Sequence, residues 1–172
     1  NKRFLNNNIT ARDHSKLVRA ASNGQYPKSV ILSCVDSRIP VEDVFDKGIG
    51  DIFVARVAGN FVNEDILGSM EFACKISGAK LILVMGHSNC GAIKAAIDDV
   101  KLGNITAMLS KIKPAVAMSQ QFEGEKTSKN YDFTDAVGKN NVLNTIAMIK
   151  TQSPVLKEMM DKGAIKIAGA YY

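Results

Sequence analysis

Four short apolar runs, separated by segments with helical signals, fix the fold class of this chain. Ser29-Val30-Ile31-Leu32-Ser33-Cys34, Asp51-Ile52-Phe53-Val54-Ala55, Lys80-Leu81-Ile82-Leu83-Val84-Met85 and Ala164-Ile165-Lys166-Ile167-Ala168-Gly169 each read as a strand. They are apolar throughout rather than alternating, which suits strands covered on both faces. Strands alternating with helices are joined by crossovers and therefore run parallel, so the chain predicts an α/β fold: a mostly parallel β-sheet flanked by helices. Residues 40–45 read as a short helix with Pro40 at its first turn. Residues 65–77 form a helix with an apolar stripe of Ile66, Met70, Ala73 and Cys74, ended by Gly78. Residues 92–100 begin a helix straight after the third strand, and 103–118 and 138–162 read as helical with breaks at Pro114 and Pro154. The polar stretch 120–135 predicts a surface loop. Residues 2–22 read as two short helices split by Asn6-Asn7-Asn8. Their apolar positions, Phe4, Leu5, Ile9, Leu17 and Val18, are too few for a face of their own, so this segment is expected to pack on a partner subunit.

At 172 residues and 46% hydrophobic, the chain suits one domain, 1–172, with a helical arm at 1–24 and a core at 25–172. The formal net charge of +5 does not point to nucleic acid, because Lys75, Lys80, Lys94, Lys101, Lys111, Lys126 and Lys139 are scattered and there is no Trp. No apolar run reaches the roughly 18 residues of a membrane span, and no signal peptide is visible. Three cysteines, Cys34, Cys74 and Cys90, are too odd a set for a disulfide framework and suit a reducing compartment or a metal site. The expectation is a cytoplasmic protein, or a periplasmic one if a leader has been removed.

Ligands of open α/β sheets bind at the carboxyl ends of the strands. The first strand runs into Cys34-Val35-Asp36-Ser37-Arg38, the third into Gly86-His87-Ser88-Asn89-Cys90-Gly91. Alone, a cysteine at a strand end is a small core residue, and a lone His-x-x-Cys says little. Each placed straight after a strand, they predict a shared metal site. Cys34, His87 and Cys90 supply three of the four tetrahedral ligands that zinc takes, leaving a position for water or for Asp36. The start of the following helix favours Cys90 as thiolate. In an extended segment Asp36 and Arg38 point the same way as Cys34, and a guanidinium keeps such a carboxylate ionised and oriented. Cys74 reads as core and His14 as a solvated side chain, whereas Gly59 and Gly91 read as backbone-geometry positions.

Ser33-Cys34-Val35-Asp36-Ser37-Arg38, Gly86-His87-Ser88-Asn89-Cys90-Gly91-Ala92 and Phe53-Val54-Ala55-Arg56-Val57-Ala58-Gly59-Asn60 resemble the signatures of the β-carbonic anhydrases, and the resemblance spans residues 25–172. It implies Zn²⁺ on Cys34, His87 and Cys90, an Asp36–Arg38 catalytic dyad, and reversible hydration of CO₂ to bicarbonate and a proton by zinc-bound hydroxide. It also implies a homodimer or homotetramer with sites near the subunit interface, the N-terminal helices wrapping the partner. Gln25 matches the pocket glutamine of plant-type members, Phe53 and Ala58 match its apolar wall, and Gly91 counts among the pocket residues. Phe72 stands where plant-type enzymes carry a tyrosine, so that hydroxyl is lost. Ile31 stands where bicarbonate-inhibited members carry a tryptophan, although Arg56 matches another residue of their inhibitory site; this favours the plant-type, open-site subgroup. Chains of the family usually run on past Tyr172. Two thiolates make zinc a weaker Lewis acid than three histidines would, so activity is expected to rise towards alkaline pH. The same fold and zinc site would also serve hydrolysis of carbonyl sulfide or carbon disulfide, or a non-catalytic zinc protein. A thiol redox role lacks the C-x-x-C pair.

Overall fold

The computed structural model describes residues 2–8 and 12–172. Strands β1 (Ser29–Ser33), β2 (Phe53–Arg56), β3 (Leu81–Gly86) and β4 (Lys166–Tyr171) form one parallel sheet in the order β2-β1-β3-β4. The period of two along β1 divides the core. Val30 and Leu32 face one side with Ile82 and Val84, while Ile31 faces the other with Met85, Val41 and Val44. Both faces of the central strands β1 and β3 are covered, which is why these two carry no polar alternation, whereas the edge strands β2 and β4 are half-buried to exposed.

Helices α1 (Lys2–Leu5) and α2 (His14–Ala21) fall in the arm, with Ile9 outside the described residues. No residue of α2 is buried, and His14 is exposed as expected. Just before α2, Arg12 pairs with Asp43 at 3.0 Å and Asp46 at 3.2 Å, tying the arm to α3 (Val41–Val44) and to the turn after it.

Helix α4 (Glu64–Glu71) is capped by Asn63, whose side chain accepts from the Ile66 N–H at 3.0 Å. It continues into a wider turn over Phe72–Ile76, where the Ser77 N–H reaches back five residues to the Phe72 carbonyl at 3.0 Å. Gly78, at φ +80°, ends it. Cys74 is buried on this element, as the stripe requires.

Helices α5 (Gly91–Ile97), α6 (Gly103–Ser110) and α7 (Lys113–Met118) follow β3, with Pro114 at the start of α7. The long α8 (Tyr131–Gln152) starts inside the stretch expected to be loop. Its cap is Asn130, accepting from Asp132 and Phe133 N–H groups, and Phe133 and Val137 then bury against the core; the polar composition of 120–135 hid this first turn. Pro154 breaks the helical segment as expected and opens α9 (Pro154–Asp161). Strand β4 runs two residues past the expected end, because Gly169 is a close-approach position and not a terminator. A Cβ there would meet Val142 of α8 at 2.7 Å, so glycine lets the helix lie on the strand while pairing continues to Gly86↔Tyr171.

Candidate metal centre

Cys34 follows the last residue of β1, His87 follows β3, and Cys90 caps α5. All three are buried, and their ligand atoms lie within 4.8 Å of one another. Cys34 Sγ and Cys90 Sγ are 3.9 Å apart. Two sulfurs at about 2.3 Å from a tetrahedral zinc would be separated by about 3.8 Å. The Nδ1 of His87 lies 2.9 Å from the Ser88 carbonyl, which can only accept, so in the neutral ring Nδ1 carries the proton and Nε2 is bare. That buried Nε2 has no hydrogen-bond partner among the described residues. A bare imidazole nitrogen facing two thiols is the donor set zinc takes, so the residues fit the ion.

Electrostatics divide the thiols. The Cys34 thiol is brought down, first because Cys90 hydrogen-bonds to it, with His87 and the Gly59 N–H adding to the effect against burial. Cys90 is pushed up by the same contact, by burial and by the Cys34 charge, while the Ala92 and Ile93 amides pull the other way. The Ala92 and Ile93 amides at the helix start act in the direction expected for Cys90, towards the thiolate. His87 is raised: burial pushes it down, and the Cys34 thiolate more than offsets this.

Asp36 and Arg38 meet through a turn, not through the expected extended alternation. The Arg38 backbone N–H donates to Asp36 Oδ1 at 3.0 Å, Nε donates to Oδ1 at 2.9 Å, and Nη2 donates to Oδ2 at 2.7 Å. This forked contact holds the carboxyl far below the usual carboxylate range. Arg38 also donates to the Asn89 carbonyl at 3.2 Å, joining the two ligand loops. Asp36 Oδ2 stands 3.9 Å from the bare His87 Nε2. On the other side, Arg56 donates from Nε to the Cys34 carbonyl at 2.8 Å and from Nη2 to the Asp36 carbonyl at 2.6 Å.

The family model described as carbonic anhydrase matches residues 29–172. The chain belongs to the carbonic anhydrase family. Carbonic anhydrase 2 of Mycobacterium tuberculosis is 31% identical over 154 residues, covering 87% of this chain and 71% of that protein. A carbonic anhydrase of Mycolicibacterium smegmatis is 30% identical over 156 residues, 88% of this chain and 72% of that one. The solved β-carbonic anhydrase CcaA superposes with a TM-score of 0.83 at 24% identity, covering 99% of this chain and 79% of that one, which gives the β-class fold. A chain from the crystal structures of two tetrameric β-carbonic anhydrases of Sordaria macrospora shares that fold, with a TM-score of 0.78 at 22% identity over 99% of this chain and 87% of that one.

In this family member the remaining expected site residues separate into two groups. Ala58 precedes Gly59, whose N–H touches Cys34 Sγ, and Gly91 is the exposed first residue of α5 after Cys90. Both stand beside the centre. Phe53 and Phe72 instead line a cleft of about 600 Å³ with Val30, Ala55 and Glu64. Phe53 pairs with Val30, three positions before the Ser33↔Arg56 pair and so about 10 Å down the strand from the ligand loop. Gln25 is exposed in a smaller cleft with Leu17 and Gly50. The sequence reading missed the Gly59 N–H contact and the Arg56 clamp on the ligand loop. Gly59 next to a polar Asn60 was the available signal, since consecutive Gly-Asn marks a turn.

Proposed function

We propose that this chain catalyses the reversible hydration of CO₂ to bicarbonate and a proton, with Zn²⁺ held by Cys34, His87 and Cys90. When bound, zinc supplies the Lewis acid that ionises water near neutral pH. One observation carries the reading. An ionised carboxylate, pinned on both oxygens by Arg38, stands 3.9 Å from the bare nitrogen of a metal-binding histidine. Asp36 Oδ2 accepts the hydrogen bond of the reacting water and so turns its lone pair towards CO₂. Arg38 keeps Asp36 ionised and prevents it from rotating freely. Arg56 holds the carbonyls of the loop from which both groups project.

CO₂ needs an apolar pocket, and Ala58 stands at the centre. Gln25, Phe53 and Phe72 lie away from their own metal ligands, and Phe72 is 52% exposed. We assign them to the pocket of an adjoining copy in a homo-oligomer, a dimer or a tetramer, with the arm 1–24 on the partner and 1–172 acting as one domain. Gln25 and the buried aliphatic Ile31 favour the plant-type, open-site arrangement. Among the described residues no helix is long and apolar enough to cross a membrane, and thiolate ligands suit a reducing compartment such as the cytoplasm. Stopped-flow CO₂ hydration at about pH 8.5, in the range where water on zinc is ionised, tests the reading with zinc quantified. Fast hydration lost in Asp36→Ala is expected. No hydration with one zinc per chain would refute it.

A further inference from the structure

We infer that Asn141 of α8 is a positioning residue of the metal centre, holding the turn whose backbone N–H hydrogen-bonds to the Cys34 sulfur. The inference rests on the zinc reading above.

The turn is Gly59-Asn60, with two consecutive left-handed residues at φ +79° and φ +41°. Asn60 is of a residue type that visits this region more readily than most, and the turn is in addition tied from outside. It is also where the Gly59 N–H donates to Cys34 Sγ at 3.3 Å. The support comes from one helix. Asn141 Nδ2 donates to the Gly59 carbonyl at 2.7 Å, from 82 residues away along the chain. Thr145 Oγ1 donates to the Asn60 carbonyl at 3.3 Å. The two side chains are four residues apart on one face of α8, and both are 0% exposed.

Packing alone does not explain them. The rest of the buried stripe of α8 is largely apolar, with Phe133, Val137, Val142 and Ile149. Burying an amide there costs free energy unless it is hydrogen-bonded. A carbonyl only accepts, so the Gly59 oxygen fixes which end of the Asn141 amide faces it. Asn141 Oδ1 is left buried with no partner among the described residues. The amide is therefore half satisfied, and what it does satisfy is the carbonyl of the residue that touches the Cys34 sulfur. The chain from helix to ligand is Asn141 Nδ2 to Gly59 O, then Gly59 N–H to Cys34 Sγ. An N–H on a thiolate draws charge off the sulfur and fixes its lone pairs, as partners of metal ligands do elsewhere.

The test is zinc affinity by chelator competition, together with the sulfur-to-metal charge-transfer band of the cobalt-substituted protein. Asn141→Leu keeps the volume and removes the donor, and Thr145→Val does the same at the second contact. Expected for Asn141→Leu is zinc binding weaker by about 10–100-fold and a shifted band. Thr145→Val should move both readouts in the same direction but less far. A lowered melting temperature alone is what a packing role would give. Should Asn141→Leu not fold, Asn141→Ser and Thr145→Val are read by the same two criteria. Folded variants with zinc affinity within about twofold of the parent and an unmoved band would overturn the inference. Parent protein that binds no zinc would overturn the reading beneath it as well. Parent protein that binds zinc tightly without hydrating CO₂ would overturn the proposed activity, and the two readouts would still decide the role of Asn141.

Discussion

Replacing Gly59 by alanine perturbs the backbone and the packing at one point. The residue sits at φ +79°, and a Cβ built there lies 2.4 Å from Ile112 Cδ1 and 3.3 Å from Ala92 Cβ. The left-handed conformation costs a side-chain-bearing residue about 1–2 kcal/mol. Ile112 is 0% exposed and has little room to withdraw, so the overlap adds about 1–3 kcal/mol. The expected loss for Gly59→Ala is thus about 2–5 kcal/mol, read from the urea midpoint at fixed protein concentration. Ile112→Val deletes the offending methyl and by itself costs about 0.5–1.5 kcal/mol. Because it removes the overlap, the double variant should lose less than the sum of the singles, by about 1 kcal/mol or more. Relaxation around the new Cβ also moves the Gly59 N–H off Cys34 Sγ, so zinc should bind more weakly in Gly59→Ala. A Gly59→Ala protein within about 0.5 kcal/mol of the parent, or strictly additive singles, would refute the account of this turn.

The remaining predictions concern the thiol off the site, a helix junction and the metal. Burial pushes the Cys74 thiol from 9.0 up to about 11. The raised value favours the neutral form in the folded chain, so this contribution is complete below pH 9 and lost as pH rises towards about 11. It is worth at most about 2–3 kcal/mol. Stability curves of parent and Cys74→Ala should therefore diverge across that window, and parallel curves would count against it. Ser153 is fully buried; its Oγ accepts from the Leu156 N–H at 3.1 Å and donates to Glu71 Oε1 at 2.6 Å. Ser153→Ala removes the cap of α9 and its tie to α4, for an expected loss of about 1–3 kcal/mol in urea unfolding; a neutral result would mean water replaces both bonds. Zinc at about a hundred times its dissociation constant adds about 2.7 kcal/mol, so stripping it should lower the melting temperature by about 5–10 °C. An unchanged melt after chelation would show that folding and the ligand set are not linked.

How much was legible follows from what a sequence encodes locally. The apolar runs at 29–34 and 80–85 could be read as strands because apolar periodicity is written in consecutive residues, and the strands found begin or end within two residues of those readings. The candidate metal cluster was legible too, because Cys34 and His87 each follow a strand and strand ends in a parallel sheet share one edge. The first turn of α8 was less legible, since a polar cap and a polar loop look alike until Phe133 is seen to bury. The path of the chain after Cys34 was misread, because side-chain alternation holds only while the strand lasts and the turn that follows is fixed by the Asp36 carboxylate accepting from Arg38.

By itself, then, the sequence determined the α/β class, the strands and the meeting of Cys34, His87 and Cys90, because each of these depends on residues near one another in the chain or on a rule of sheet topology. Tertiary structure alone decided that the two thiols act on each other's ionisation, since that depends on a 3.9 Å distance between residues 56 apart. It alone placed Phe53 and Phe72 in a cleft away from their own ligands. It also brought Asn141 and Thr145 against Gly59 and Asn60, contacts across 82 and 85 residues whose partners carry no mark of one another in the chain. Such contacts are set by where α8 lands on the sheet, and that is a property of the packed core rather than of any segment in it.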